Sequence, residues 1–191
     1  RIEMMLEHPD MTESLAEELI KVHRSLSGLI KLNKTLLLLS KIENGQFLQT
    51  SEVDMNTLAA DSIALHQEIY GHKNIKADVK GEERFILKSD EQMASVLIGN
   101  LVKNAFLYTP EGGSIEIQMS RTGFSISNDG NAPLDKEKVF RRFYQPSGRR
   151  EGATGLGLAL VYSVCINNGL DITYDYADGR HIFSIILKKS K

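Results

Sequence analysis

The chain has 191 residues, of which 41% are hydrophobic and 25% are charged, and its formal net charge is −2. This composition supports a packed core and excludes wholesale disorder, and without a basic excess it argues against nucleic acid as a partner. The single cysteine, Cys165, cannot form an internal disulfide and is predicted to be a small buried side chain. No apolar run is long enough to span a bilayer.

The first part of the chain is predicted to be helical. A short helix ends at Pro9, and a second covers residues 14–43, with Gly45 as its C-cap. Apolar residues recur in the second helix at alternating steps of four and three, which is typical of helices that pack on one another. We expect residues 1–46 to form a helical hairpin, and two copies to pair as a four-helix bundle in a homodimer. A long helix lying on its own domain is the alternative.

Residues 47–191 are predicted to form a second domain of helices and strands. The predicted helices cover residues 55–70, 90–108 and 156–167 and the segment "LDKEKVFRRF". The predicted strands are "NIKADVK", "RFILK", "GGSIEIQMS", "GFSIS" and a terminal hairpin that turns at Asp178 and Gly179. Because consecutive strands are joined by hairpins, we predict an α+β sandwich with helices on one face of a mixed sheet.

Two asparagines interrupt the strongest of these helices. Asn100, Asn104 and Tyr108 are spaced by four residues and therefore share one face, while the apolar face can cover the sheet. An amide in so apolar a helix is costly unless it has a partner. Its carbonyl oxygen is a ligand of the kind that Mg²⁺ takes, usually together with nucleotide phosphates. Hydrogen bonds to backbone or water are the alternative.

A polar turn follows one of the predicted strands. It consists of Asn128, Asp129 and Gly130. A polar side chain at a strand end can hydrogen-bond the edge of a base, and a following glycine lets the base approach the backbone. An ordinary Asn-Asp-Gly turn is the alternative.

The region around residues 140–158 combines aromatic, basic and glycine residues. Its aromatic residues are predicted to anchor a lid, whose basic residues are Arg141, Arg142, Arg149 and Arg150. Gly152, Gly155 and Gly157 then open a helix, where free N–H groups and the helix dipole favour phosphate. This is not a Walker loop, because the Lys-Ser/Thr pair of that motif does not follow the glycines. It is not a dinucleotide fingerprint either, because no βαβ unit surrounds them.

Four short motifs of the chain closely resemble the N, G1, F and G2 boxes of sensor histidine kinases of two-component systems. In chain order they are N-L-x-x-N-A, N-D-G, F-R-R-F and G-x-G-L-G-L. The preceding "LLLLSKIENGQF" resembles the end of their dimerisation hairpin, so the resemblance covers nearly the whole chain. It implies an ATP-binding domain of the Bergerat fold, which gyrase, Hsp90 and MutL proteins share. It also implies the cytoplasmic portion of a bacterial sensor kinase that reaches the membrane through upstream segments.

The resemblance implies roles at the phosphate end of the site. Asn104 would bind Mg²⁺, Asn100 would line the same site, and Tyr108 would lie near the phosphates or ribose. Arg142 would belong to a lid that screens charge. The residues that would cradle the phosphates are Gly155, Leu156, Gly157 and Leu158.

At the base end, the resemblance implies that Asn128 hydrogen-bonds the adenine amino group and that Gly130 makes room for the base. The family usually has an aspartate where this chain has Asn128 and a second glycine where it has Ala132. An amide oxygen still accepts a hydrogen bond, although it is a neutral and weaker acceptor. Asp129 is the alternative residue for this hydrogen bond to adenine.

The family's phosphoacceptor motif, a histidine followed by an acid and Thr-Pro, is absent from the chain. The histidines, none of which has that context, are His8, His23, His66, His72 and His181. We therefore expect the acceptor upstream of Arg1. The chain should bind Mg-ATP without labelling itself, and the phosphate should pass through the acceptor to a response regulator aspartate. The alternatives are an ATP hydrolase of the same fold and a non-catalytic dimerising module with a degraded nucleotide site.

Overall fold

The computed structural model describes residues 12–46, 49–146 and 154–188. The chain divides into two compact units, Arg1–Ser40 and Lys41–Lys191. This division falls a few residues before the predicted domain boundary at residues 46 and 47, and that boundary stays a prediction. The predicted short helix that ends at Pro9 lies outside the described residues.

Helix α1 spans Glu13–Glu43 and carries the predicted packing pattern. It ends in a Schellman motif, in which the Gly45 N–H donates to Ile42 O at 3.0 Å and the Gln46 N–H donates to Lys41 O at 3.1 Å. Gly45 has a φ of 63°, which confirms its predicted role as C-cap. Several apolar side chains of the predicted packing face are exposed, namely Leu15, Val22, Leu26 and Leu29.

The second unit holds the remaining elements. They are β1 (Ser51–Asp54), α2 (Met55–Ile69), β2 (Lys76–Lys80), β3 (Ile86–Ser89), α3 (Glu91–Tyr108), β4 (Ser114–Ser120), β5 (Gly123–Asp129), α4 (Gly157–Asn167), β6 (Leu170–Ala177) and β7 (Arg180–Leu187). Strands β1 and β3 form an antiparallel pair, and the other five form one sheet in the order β2-β4-β5-β7-β6. In that sheet β2 and β4 are parallel and the other neighbours are antiparallel, so the sheet is mixed as predicted.

Helices cover one face of the five-stranded sheet. Helix α3 packs against α2, α4 and β5. Along β4, Ile115 and Ile117 are buried beneath the helices, while Glu116 between them lies on the other face. Asp90 fixes the start of α3, because its carboxylate accepts from the Gln92 and Met93 N–H groups. The predicted α+β sandwich is confirmed, and α3 lies at its centre.

Two elements differ from the sequence prediction. Strand β1 has no predicted counterpart, because Val53 is its one buried apolar residue and its pairing with β3 is tertiary. The predicted helix in "LDKEKVFRRF" is wrong, since the segment forms a series of turns. At the end of this segment the Phe143 N–H donates to Gly155 O and not to a carbonyl of the preceding turn. Phe143 has a φ of 64°, which is outside the helical region.

Candidate functional site

The asparagine face of α3 meets the start of α4. A Cβ placed on Gly157 would lie 3.1 Å from Asn100 Oδ1 and 3.7 Å from both amide atoms of Asn104. Asn100 Nδ2 donates to Val96 O at 2.8 Å, so its Oδ1 is the amide atom directed toward Gly157. The structure thus brings together three residues that the sequence assigned to two separate motifs.

The N-terminus of α4 is open at this point. Within the described residues, no side chain caps it, and the first N–H groups of an α-helix have no acceptor inside the helix. The fully buried Leu156 anchors the loop immediately before the helix, while Leu158 is half-buried. Free N–H groups and the positive end of the helix dipole make such a terminus a binding site for anions.

Gly155 closes the base of the predicted lid. It has a φ of 68°, and a Cβ there would lie 2.7 Å from the carbonyl carbon of Phe143. The hydrogen bond from the Phe143 N–H to Gly155 O, 2.8 Å long, joins the two ends of the segment between them. The predicted lid residues Arg149 and Arg150 lie outside the described residues.

Two further predicted site residues are Arg142 and Tyr108. Arg142 Nη2 is 2.5 Å from Glu43 Oε1, in an ion pair that remains about half exposed. Tyr108, which is half-buried, is the last residue of α3 and therefore lies about 12 Å along the helix axis from Asn100.

Adjacent residues at the end of β5 point to opposite faces of the sheet. Asn128 is buried on the helix-covered face, and its Nδ2 donates to Asp129 O at 3.0 Å. The Asp129 carboxylate accepts from Arg180 Nη1 at 2.7 Å and from the Ser114 N–H at 2.8 Å on the other face. This arrangement favours Asn128 over Asp129 as the residue that faces a base.

His181 occupies the space beside Gly130. A Cβ on Gly130 would lie 2.2 Å from His181 Nε2, so a larger residue would fit there only if the imidazole shifted. His181 pairs with Asn128 across β5 and β7, and burial lowers the pKa of its imidazole. Sequence reasoning considered His181 only as a phosphoacceptor. The signal that could have identified it is the alternation of the terminal hairpin, which aligns His181 with the buried Phe183 and Ile185.

The donor set suits a cation that is shared with phosphate. Among the described residues, no group of three or more His, Cys, Asp or Glu side chains could hold a metal ion. The amide of Asn104 makes no hydrogen bond to that part of the chain, and it lies beside the open helix terminus. Mg²⁺ usually takes few protein oxygens and completes its shell with water and phosphates, so the asparagines and the helix terminus fit it.

Comparison with known proteins gives the family to which this fold and this cluster belong. Residues 89–191, more than half of the chain, match the family described as histidine kinase-, DNA gyrase B- and HSP90-like ATPases. The chain belongs to this family.

Its curated relatives include a sensor-like histidine kinase and a heme sensor protein. The chain is 28% identical over 176 residues to the sensor-like histidine kinase SenX3 of Mycobacterium tuberculosis, which covers 87% of this chain and 43% of SenX3. It is 33% identical over 140 residues to the heme sensor protein HssS of Staphylococcus epidermidis, with 70% and 31% coverage. The chain therefore spans less than half the length of these relatives. Within the described residues, no helix combines the length and apolar character needed to cross a membrane.

A solved structure agrees with this assignment. The histidine kinase ThkA, crystallised with the response regulator protein TrrA, superposes with a TM-score of 0.70 at 25% identity. The match covers 99% of this chain and 55% of ThkA. The chain thus carries an ATP-binding catalytic domain of the sensor histidine kinase type.

Proposed function

We propose that the chain is the catalytic part of a sensor histidine kinase that transfers the γ-phosphate of ATP to a histidine, for relay to an aspartate of a response regulator. The observation that carries this proposal is the meeting of the Asn100 and Asn104 side chains with the uncapped N-terminus of α4 at Gly157. Phosphoryl transfer needs positioning and charge neutralisation more than covalent chemistry, and this cluster supplies both.

At the phosphate end, Asn104 would hold Mg²⁺, which when bound neutralises charge on the phosphate oxygens, and Asn100 would line the same site. The N–H groups at the start of α4 would donate to the same oxygens. Gly157 lets the phosphates approach, because a larger side chain would project toward Asn100 Oδ1. The buried Leu156 holds the loop in register with α3. Tyr108 and the lid residue Arg142 would contact the nucleotide from the periphery.

At the base end, Asn128 would accept a hydrogen bond from the adenine amino group. Its Nδ2 already donates to Asp129 O, which leaves Oδ1 as the available acceptor. Asp129 is engaged by Arg180 and Ser114 and serves as a structural ion pair instead.

Kinase activity is favoured over ATP hydrolysis by the chemistry of one residue. Hydrolases of this fold activate water with a glutamate one helical turn before the metal-binding asparagine. Asn100 stands at that position, and an amide cannot act as a general base. The same site makes a purely structural, non-catalytic module the less favoured alternative.

We propose further that residues 1–46 belong to a dimerisation hairpin and residues 47–191 to the catalytic domain, and that upstream segments anchor the longer protein to a bacterial membrane. Exposed leucines on α1 support a homodimer, because a row of apolar residues at heptad spacing favours association of helices. The relatives' names, a sensor-like kinase and a heme sensor protein, support a sensor upstream. The ThkA–TrrA complex supports a response regulator as partner.

The test is phosphorylation from γ-labelled ATP. The chain alone should bind ATP and remain unlabelled, whereas a longer polypeptide that includes the upstream helix should acquire acid-labile phosphate. Replacing the histidine of that helix by glutamine is the control and should abolish the label. Acid-labile phosphate on the chain itself, or none on the longer polypeptide, would refute the proposal.

A further inference from the structure

We propose that His181 is a second base-contacting residue, which donates a hydrogen bond from Nε2 to the N1 nitrogen of adenine while Asn128 accepts one from the adenine amino group. This inference rests on the proposed function, because it specifies which edge of the nucleotide the site recognises.

The two side chains lie next to each other at the end of the sheet. Asn128 and His181 are directly opposite in the β5–β7 register, which places their Cβ atoms about 4.5–5.5 Å apart. Both are buried on the helix-covered face. The imidazole extends over Gly130, since Nε2 and Cδ2 would lie 2.2 and 2.3 Å from a Cβ at that position. The Nε2 edge of the ring therefore lies beside the backbone that follows Asn128.

A chain of hydrogen bonds assigns the imidazole proton. The Leu134 N–H donates to Tyr174 Oη at 2.9 Å, so this hydroxyl is already an acceptor. Tyr174 Oη lies 2.9 Å from His181 Nδ1. Because this oxygen already accepts one hydrogen bond and has one proton to donate, we place that proton toward Nδ1. In a neutral imidazole with Nδ1 accepting, the proton lies on Nε2.

The Nε2–H group is accessible to a ligand. It has no hydrogen-bond partner within the described residues. In that part of the chain, no fully buried side-chain nitrogen or oxygen lacks a partner, so Nε2 is not fully buried. Burial of the rest of the ring lowers the pKa of His181, which keeps it neutral at neutral pH.

The groups around the ring do not favour a second proton. Tyr174 and Tyr176 pack against it with ring centroids 5.9 and 5.2 Å away. The charged neighbours Asp129 and Arg180 lie on the other face of the sheet and pair with each other. No carboxylate of the described residues is therefore bonded to the imidazole.

The Asn128 oxygen as acceptor and the His181 N–H group as donor together match adenine and not guanine. Adenine presents a donor, its amino group, beside an acceptor, N1. Guanine presents the reverse pattern, with O6 as acceptor and N1–H as donor. Bound guanine would leave the Asn128 oxygen and the His181 N–H facing like groups, and unpaired polar groups in a buried site strongly disfavour the wrong ligand.

Calorimetric titration with ATP, GTP and 1-deaza-ATP, which lacks only the N1 acceptor, tests the contact. The wild-type chain should bind ATP about tenfold more tightly than 1-deaza-ATP, as expected for one lost hydrogen bond in a buried site, and GTP more weakly still. His181→Phe keeps a ring but no donor, and should bind ATP and 1-deaza-ATP equally. His181→Gln restores a donor and should recover part of the preference, while His72→Phe, an exposed control, should retain all of it.

Equal binding of ATP and 1-deaza-ATP by the wild type, or a preference that persists in His181→Phe, would overturn the inference. If the wild-type chain binds none of these nucleotides, the proposed function itself is refuted. If His181→Phe does not fold, ¹⁵N NMR of the wild-type imidazole decides, because we expect the Nε2–H tautomer and the Nδ1–H tautomer contradicts the proposed donor.

Discussion

At the scale of single residues, a substitution of Gly157 should change ATP affinity much more than the stability of the fold. A Cβ there would approach Asn100 Oδ1 to 3.1 Å without meeting backbone. We expect Gly157→Ala to weaken ATP binding about tenfold, because the methyl group enters the space between the asparagines and the phosphates. Stability should change little, because Gly157 is the first residue of α4 and the preference for alanine over glycine applies to helix interiors.

Calorimetry and urea unfolding of the same variant check both effects. Gly99→Ala is the matched control, because it lies in α3 with nothing within 4 Å of its added Cβ. It should gain stability and keep its affinity for ATP. Equal affinity in the two variants would contradict the assigned position of the phosphates.

The buried His181 also predicts how stability changes with pH. Its pKa is lowered in the folded chain by burial, so between the folded and unfolded pKa values the unfolded state binds the extra proton. Stability should therefore decrease as the pH falls through the ordinary histidine pKa of about 6.5 and below. Urea titrations at several pH values should show a shallower decrease for His181→Gln than for the wild type.

The exposed His72 provides the comparison for this pH dependence. His72→Gln should retain the wild-type slope in that pH range. A wild-type slope in His181→Gln as well would show that burial of this imidazole does not govern the effect.

The sequence predicts some residues of the proposed site and misses others for a physical reason. Asn100 and Asn104 follow from helical spacing, and Gly157 follows from its place at a helix start. The choice between Asn128 and Asp129 needs the strand register, because adjacent residues point to opposite faces. The alternation of the terminal hairpin predicts that His181 is buried, but its place beside Asn128 follows from cross-strand pairing, which joins residues far apart in the sequence.

At the scale of elements, Lys73 holds the end of the helix that carries the site. Its Nζ donates to the carbonyl oxygens of Phe106, Leu107 and Thr109 at 2.8–3.0 Å. These bonds satisfy carbonyl groups that the end of α3 leaves without intrahelical partners, and the charge complements the helix dipole.

We expect Lys73→Met to lower the free energy of unfolding by about 1–3 kcal/mol, because partly buried carbonyl groups lose a charged donor. Urea denaturation measures this change. Lys76→Met, at an exposed position on β2, is the control and should change stability by less than about 0.5 kcal/mol. Equal effects of the two substitutions would contradict the capping role.

Element prediction was most accurate where local signals were strong. The predicted helix over residues 90–108 matches α3 closely because Asp90 caps it and its apolar pattern is long. The four-residue β1 has little local signal and depends on β3. In "LDKEKVFRRF" the composition favours a helix, but the bond between Phe143 and Gly155 directs the backbone elsewhere. Contacts between distant segments decided both cases.

At the scale of the whole molecule, a site built from α3, the start of α4 and the end of β5 makes the second unit a nucleotide-binding domain. In the proposed site, the asparagines would supply oxygens for a cation and the helix terminus would supply N–H groups for phosphate. The exposed apolar residues of α1 agree with the proposed dimerisation hairpin. Phosphate transfer would then be a property of the longer protein, in which the histidine meets this site.

Calorimetric titration of the chain with ATP in the presence of Mg²⁺ tests this account most directly. We predict one saturable site per chain, whose affinity falls at least tenfold without Mg²⁺ or in Asn104→Ala. Asn167→Ala, at an exposed position near the end of α4, should bind as the wild type does. Absence of saturable binding, or an unchanged affinity in Asn104→Ala, would contradict the account.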